Sequence, residues 1–151
     1  MAEILLWREF DALSPGELYA LLKLRCEVFI VEQACAYADI DGKDPLARHL
    51  LAYAGSELIG CLRVFLPDAA GEAARIGRVV VAPPARGTGL GRRLMRRALA
   101  EIEVHFGAVP VELSAQAHLE AFYASLGFER ISENYLEDGI PHCDMRRDGP
   151  P

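Results

Sequence analysis

The chain has 151 residues, and 16 Lys and Arg against 22 Asp and Glu leave a formal net charge of −6. Ordinary globular composition, 52% hydrophobic and 25% charged, excludes a disordered chain, and the length suits a single domain, 1–151, with a core of its own. The acidic balance argues against a general binder of nucleic acid or membrane surfaces, and no uncharged stretch is long enough to span a bilayer. Met1-Ala2-Glu3 lacks the basic and apolar run of a secretory leader, so the expectation is a soluble, cytoplasmic protein.

Ile4–Phe10 is an apolar run suited to an opening strand. Ser14-Pro15-Gly16-Glu17 reads as a helix start, with a serine cap, proline in the first turn and glutamate at the capping-box position. Leu18, Leu21, Leu22, Cys26, Val28 and Phe29 continue helical spacing to about Glu32, and the polar stretch 34–45 reads as a loop. His49–Ala54 and Leu58–Leu66 predict two strands joined by a turn at Gly55-Ser56, followed by a loop at Pro67–Glu72. Arg75–Ala82 carries a β-branched triplet and predicts a buried strand ended by Pro83-Pro84.

Leu90, Leu94, Met95, Ala98, Leu99, Ile102 and Phe106 then recur at helical spacing until Gly107 and Pro110. Val109–Ser114 alternates as a strand, and Ala117–Leu126 reads as a short helix closed by Gly127. Phe128–Tyr135 and Ile140–Met145 predict closing strands around the turn Glu137-Asp138-Gly139. The order β-α-β-β-β-α-β-α-β-β implies helices interrupting a mixed sheet.

Cys26, Cys35, Cys61 and Cys143 include no CxxC pair and read as reduced, buried apolar residues. With the histidines scattered, a metal site is not expected. The loop Asp39–Asp44 has its glycine fourth and Leu50 at the twelfth position, which excludes a calcium loop. Asp39 and Asp41, with Glu32, Glu137 and Asp138, read as ordinary surface charge ahead of a rim for a cationic amine.

Fourteen of the sixteen basic residues are arginine, and Arg86, Arg92, Arg93, Arg96 and Arg97 crowd into one segment. An acidic protein that concentrates positive charge in one place points to an anion held there. In that segment a valine-rich strand, Val79-Val80-Val81, leads through Arg86-Gly87-Thr88-Gly89-Leu90-Gly91-Arg92 into a helix. The first amides of a helix lack internal partners and carry the positive end of its dipole, and glycines let them approach a diphosphate closely. A P-loop would need Lys-Ser/Thr after Gly91, and a dinucleotide fingerprint would need glycine where Arg92 stands.

The pattern Arg/Gln-x-x-Gly-x-Gly/Ala is matched in full by Arg86 to Gly91, and one strand later comes Phe122-Tyr123-Ala124-Ser125-Leu126-Gly127-Phe128. With these motifs the chain resembles the GNAT superfamily of N-acetyltransferases. Its ElaA-type branch is resembled through Arg25–Gln33, Asp39–Asp44, Ser114–Leu119 and Glu137–His142. The resemblance implies an α/β (α+β) GNAT fold, a mixed, splayed sheet of six to seven strands flanked by helices. It also implies acetyl-CoA as cosubstrate, in a cleft between strands Arg75–Ala82 and Val109–Ser114, with no metal. Val79, Val80 and Val81 would pair with the pantetheine arm, and the amides from Gly87 through Thr88, Gly89, Leu90 and Gly91 to Arg92 would hold the pyrophosphate, with Arg86 opening the motif. Arg92 or Arg93 would reach the phosphates or the adenosine end, whereas Arg96 and Arg97 read as a solvated face.

Tyr123 stands at the family's tyrosine position, and a phenol protonated at neutral pH can donate to a departing thiolate. Glu32, Glu112 and His118 are the candidate bases, none preferred over a water chain. The function implied is transfer of an acetyl group to a primary amine on a small molecule or peptide, in a protein that is often a homodimer in this family. A non-catalytic module sensing acyl-CoA is the alternative in another class, and a nucleotide-binding oxidoreductase a further one.

Overall fold

The computed structural model describes residues 2–69 and 71–149; Met1, Ala70 within the expected 67–72 loop, and the last two prolines lie outside it. Eight strands form one sheet: β1 (Glu3–Glu9), β2 (Arg48–Ala54), β3 (Glu57–Phe65), β4 (Ala74–Val81), β5 (Val111–Gln116), β6 (Glu129–Arg130), β7 (Tyr135–Glu137) and β8 (Ile140–Arg147). Their order is β1-β2-β3-β4-β5-β8-β6, with β7 also on β8, and every pairing except β4 with β5 is antiparallel. The sheet is therefore mixed, as the resemblance implies. The eighth strand arises because the expected strand at 128–135 is divided into the short β6 and β7.

The first helix, α1 (Pro15–Arg25), begins with the expected reciprocal cap: Glu17 N–H donates to Ser14 Oγ at 3.0 Å and Ser14 N–H to Glu17 Oε1 at 2.9 Å. Helical spacing continues to Glu32, but from Cys26 the winding loosens into a π-helical stretch, with bonds such as Gln33 N–H to the Val28 carbonyl at 3.1 Å. Leu21, Leu24 and Val28 pack on Leu51, Cys61 and Val80 from one face of the sheet.

The other face is covered by α2 (Leu90–Phe106) and α3 (Glu120–Ala124). Leu90, Leu94, Met95, Ala98 and Ile102 of α2 are buried against Leu50, Leu62, Val64 and Ile76. Truncating one such leucine to alanine costs about 2–5 kcal/mol. Gly107 ends α2 at φ 75°, and Gly127 turns the chain after α3 at φ 94°. The strand expected at Val109–Ser114 runs two residues later, because Pro110 has no N–H to give and pairing starts at Val111. All four cysteines are unpaired, three of them buried. Among the described residues no helix is long and apolar enough to cross a membrane.

Candidate active site

Two features open the sheet at its centre. Parallel strands β4 and β5 share only the partners Ala74–Val111 and Arg75–Glu112, so their C-terminal halves diverge. On its other edge β4 stays joined to β3, through Val80–Cys61 and Val81–Gly60. The register on that edge slips: Gly77 to Val80 on β4 faces only Cys61 to Arg63 on β3, and Arg78 sits at φ 51°. A non-glycine residue there is strained, and the resulting bulge bends β4 away from β5. Beyond Arg75, the edge of Val79, Val80 and Val81 that faces β5 has no strand partner among the described residues.

An ionic cluster opposes that strain. Arg78 Nε lies 2.9 Å from Asp39 Oδ1, and its guanidinium covers the Tyr37 ring at 5.3 Å. Asp39 and Asp44 both bind Arg25 (3.0 and 2.8 Å), and Asp41 and Asp44 both bind Arg63 (2.7 and 3.0 Å). Three arginines thus face three aspartates, most of them fully enclosed, which latches the 34–47 loop onto β3 and β4. The loop acids are neither the ordinary surface charge nor the amine rim that the sequence suggested. Hydrogen bonds from Arg63 hold the Asp41 carboxyl well below the usual range. Burial pushes Asp44 up, but its bonds and charge contacts with Arg25 and Arg63 outweigh this and leave it lowered.

At the top of β4 the chain makes a short turn, Pro83–Ala85, and enters α2 through Gly87 (φ 77°) and Gly89 (φ 82°). No side chain caps α2, so its leading amides, at Leu90, Gly91 and Arg92, stay available to an anion. A Cβ at Gly87 would meet nothing within 4 Å, so the loop faces open space. Thr88 Oγ1 donates to the Ala85 carbonyl at 2.6 Å and Arg93 Nη1 to the Thr88 carbonyl at 2.8 Å, which fixes the loop from within.

The five arginines divide. Arg93 is committed to Glu3 by two contacts of 2.7 and 2.8 Å, and Arg86 to Glu32 at 2.9 Å and to the Val81 carbonyl at 3.2 Å. Arg97 pairs with Glu101 one turn on, and Arg96 is exposed. Arg92 touches no carboxylate among the described residues; it donates to Ser125 Oγ at 2.9 Å and lies 5.7 Å from the Phe122 ring centre. A diffuse basic patch is thereby reduced to one guanidinium beside the free amides.

The α3 segment closes against this corner. A Cβ on Gly91 would meet Phe122 Cζ at 3.6 Å and Val81 Cγ2 at 3.8 Å, so β4, α2 and α3 converge there. Tyr123 lies between Phe122 and Phe128, both edge-on, and is 6% exposed. Burial pushes its phenol up to about 12. Among the described residues its hydroxyl has no hydrogen-bond partner.

A profile of the acetyltransferase (GNAT) domain matches residues 17–148. The chain belongs to the GNAT acetyltransferase family. Escherichia coli ElaA is 47% identical over 146 residues, covering 94% of this chain and 95% of that protein. Its crystal structure superposes with a TM-score of 0.92, over 97% of this chain and 100% of that one. The crystal structure of an acyl-CoA N-acyltransferase from Pseudomonas aeruginosa is 46% identical, with a TM-score of 0.91 over 97% and 99% of the two chains. An aminoglycoside 6'-N-acetyltransferase solved with coenzyme A shares the fold alone, at 16% identity and a TM-score of 0.74, over 97% and 98%. The fold is thus the GNAT fold.

In this GNAT cleft the three sequence-nominated bases are poorly placed. Glu32 is held by Arg86, Glu112 by Arg75 and Arg146, and His118 is exposed on the turn before α3, which it does not cap. The β5–β8 half of the sheet carries a polar row instead. Ser114 faces Asp144 and Gln116 faces His142 across the two strands, and β7 adds Tyr135 opposite His142. Tyr135 donates to Asp144 Oδ1 at 2.6 Å and receives the Ser114 hydroxyl. Gln116 Nε2 donates to Gln33 Oε1 at 3.2 Å, and Cys35 Sγ approaches the Asp138 carbonyl at 3.4 Å. The end of the π-helical stretch and the residues after it therefore meet the end of β5 and the β7–β8 turn. Among the described residues no cluster of three His, Cys, Asp or Glu side chains is arranged to hold a metal ion.

Proposed function

We propose that the protein is an acetyl-CoA-dependent N-acetyltransferase that moves an acetyl group to a primary amine of a small molecule or peptide. The observation that carries this reading is the parting of β4 and β5 directly below the uncapped N-terminus of α2. An extended thiol arm needs an unpaired strand edge, and a diphosphate needs convergent amides. The coenzyme A complex of the aminoglycoside acetyltransferase of the same fold supports the same ligand chemistry.

In this reading Val79, Val80 and Val81 offer main-chain groups to the pantetheine arm. The amides of Gly87, Thr88, Gly89, Leu90, Gly91 and Arg92 hold the pyrophosphate. Arg86 braces the loop against Glu32, and Arg92 adds charge beside the phosphates. The acetyl donor supplies an activated thioester carbonyl, and the protein's part is to align it with an amine from the opposite mouth. Tyr123 donates a hydrogen bond to sulfur as negative charge grows there.

Thermal shift separates this reading from its rivals. Acetyl-CoA and coenzyme A should stabilise the fold, by about 2.7 kcal/mol at a hundredfold excess over Kd, while NAD(P) should not. A panel of primary amines with acetyl-CoA should then release free thiol. Stabilisation without thiol release on any amine would make the protein a sensor, and no stabilisation would defeat the proposal.

A further inference from the structure

We infer that His142 is the base that takes the proton from the acceptor amine; the inference rests on the N-acetyltransferase reading above. Of the four histidines, His49 is sealed with Nε2 on the Asp44 carbonyl, His105 is exposed at the end of α2 beside Glu101, and His118 faces solvent. His142 alone pairs with the end of β5, opposite Gln116, where it is 8% exposed.

Its two nitrogens have different duties. Nδ1 lies 2.7 Å from the Ile140 carbonyl. A carbonyl only accepts, so Nδ1 carries the hydrogen, and in the neutral ring Nε2 keeps a lone pair. That nitrogen lies 3.4 Å from Glu137 Oε2, which cannot donate to it when ionised but attracts the imidazolium once Nε2 is protonated. The ring is also fixed in plane. It stacks on Tyr135 at 6.2 Å and 21°, and Tyr135 is itself held by Asp144 and Ser114. A clamped imidazole with one donor used, one lone pair free and a carboxylate beside the free position is the arrangement of a general base.

The proton count closes. Forming the amide removes two protons from the ammonium nitrogen. Nε2 takes the first, the neutral amine attacks the thioester carbon, the C–N bond forms and the C–S bond breaks. Of the two protons released, one ends on the coenzyme A sulfur and the other in solvent. The groups facing the ring are Tyr135 and Glu137 on β7, uncharged Gln116 on β5 and, through Tyr135, Asp144 on β8.

The test uses His142→Asn, whose amide can still donate to the Ile140 carbonyl but offers no base, and Glu137→Gln, at an exposed side chain. Thiol release from acetyl-CoA is followed from pH 7 to 9.5. The amines range from alkylamines, whose ammonium pKa is about 10, to amino-acid amides at about 8. Melting and acetyl-CoA binding are measured on the same samples. His142→Asn should lose about 100-fold or more in kcat on alkylamines at pH 7. The loss should shrink as pH rises or the amine becomes less basic, with acetyl-CoA binding retained. Glu137→Gln should show a smaller loss with the same trend, and it carries the test if His142→Asn does not fold. Wild-type rates in both variants, or a loss equal at every pH and for every amine, would overturn the role of His142 alone. A wild-type protein that releases no coenzyme A would overturn the N-acetyltransferase reading itself, and this inference with it.

Discussion

Replacing Tyr123 with phenylalanine separates catalysis from packing unusually cleanly. The ring is buried between two phenylalanines, while its hydroxyl has no hydrogen-bond partner among the described residues. Phenylalanine fills the same space and strands no partner, so melting temperature should stay level or rise slightly. The effect on turnover follows from the phenol's acidity. Burial pushes it up to about 12, whereas a thiol titrates near about 8.5. Complete transfer from phenol to thiolate is therefore uphill by about 5 kcal/mol. The hydroxyl acts instead as a hydrogen-bond donor to growing negative charge, worth about 1.5–3 kcal/mol. That converts to a kcat lowered between about 10-fold and about 150-fold. Steady-state thiol release should show this fall in kcat with little change in acetyl-CoA affinity. A kcat within twofold of wild type would refute the role, and an equal weakening of acetyl-CoA binding would make the hydroxyl a binding group.

The ionic latch gives two further predictions. Arg25→Met leaves Asp39 and Asp44 enclosed without their shared partner and should cost about 3–5 kcal/mol in urea unfolding, whereas a loss below about 1 kcal/mol would contradict the latch. Asp41 and Asp44 are both lowered in the folded state, so their stabilisation is complete above the unfolded carboxylate value, about 3.9, and is lost as pH falls through their folded values. The stability gap between wild type and Arg63→Met should therefore be widest above about pH 5 and narrow towards pH 2, as chemical denaturation across that range would show.

Much of this molecule was legible where local chemistry decides the structure. The Ser14–Glu17 capping box, the Gly55 turn, the amphipathic α2 and the glycine loop each involve residues a few positions apart, and all four form as the sequence implies. What depends on distant partners was not legible. Arg78 is an arginine in a left-handed conformation within a strand, and only the cluster with Asp39, Asp41 and Tyr37, some forty residues earlier, makes that tenable. The π-helical winding after Arg25 keeps the apolar spacing of an α-helix closely enough to be mistaken for one.

Two residues of the sequence do point to distant partners. Arg25 falls one turn after Leu21 on the buried side of α1, and a charge there requires enclosed acids nearby. His142 and Asp144 alternate with Cys143 and Met145 of the apolar core, so β8 turns one face to that core and a polar face, on which His142 is itself buried, to Ser114 and Gln116. The glycine loop is one contiguous motif, whereas the polar row is assembled from segments of β5, β7, β8 and the π-helical stretch that lie far apart in the chain.

The central claim is that the amides leading into α2 hold the diphosphate of the acyl donor. An amide-resolved NMR titration with coenzyme A tests it most directly, and the 16.6 kDa chain is a suitable size. The largest shifts should fall on Gly87, Thr88, Gly89, Leu90, Gly91 and Arg92, followed by Val79, Val80 and Val81 on the open edge of β4. Shifts confined to other surfaces, such as the groove beside Trp7 and His105, or no shifts at all, would contradict it.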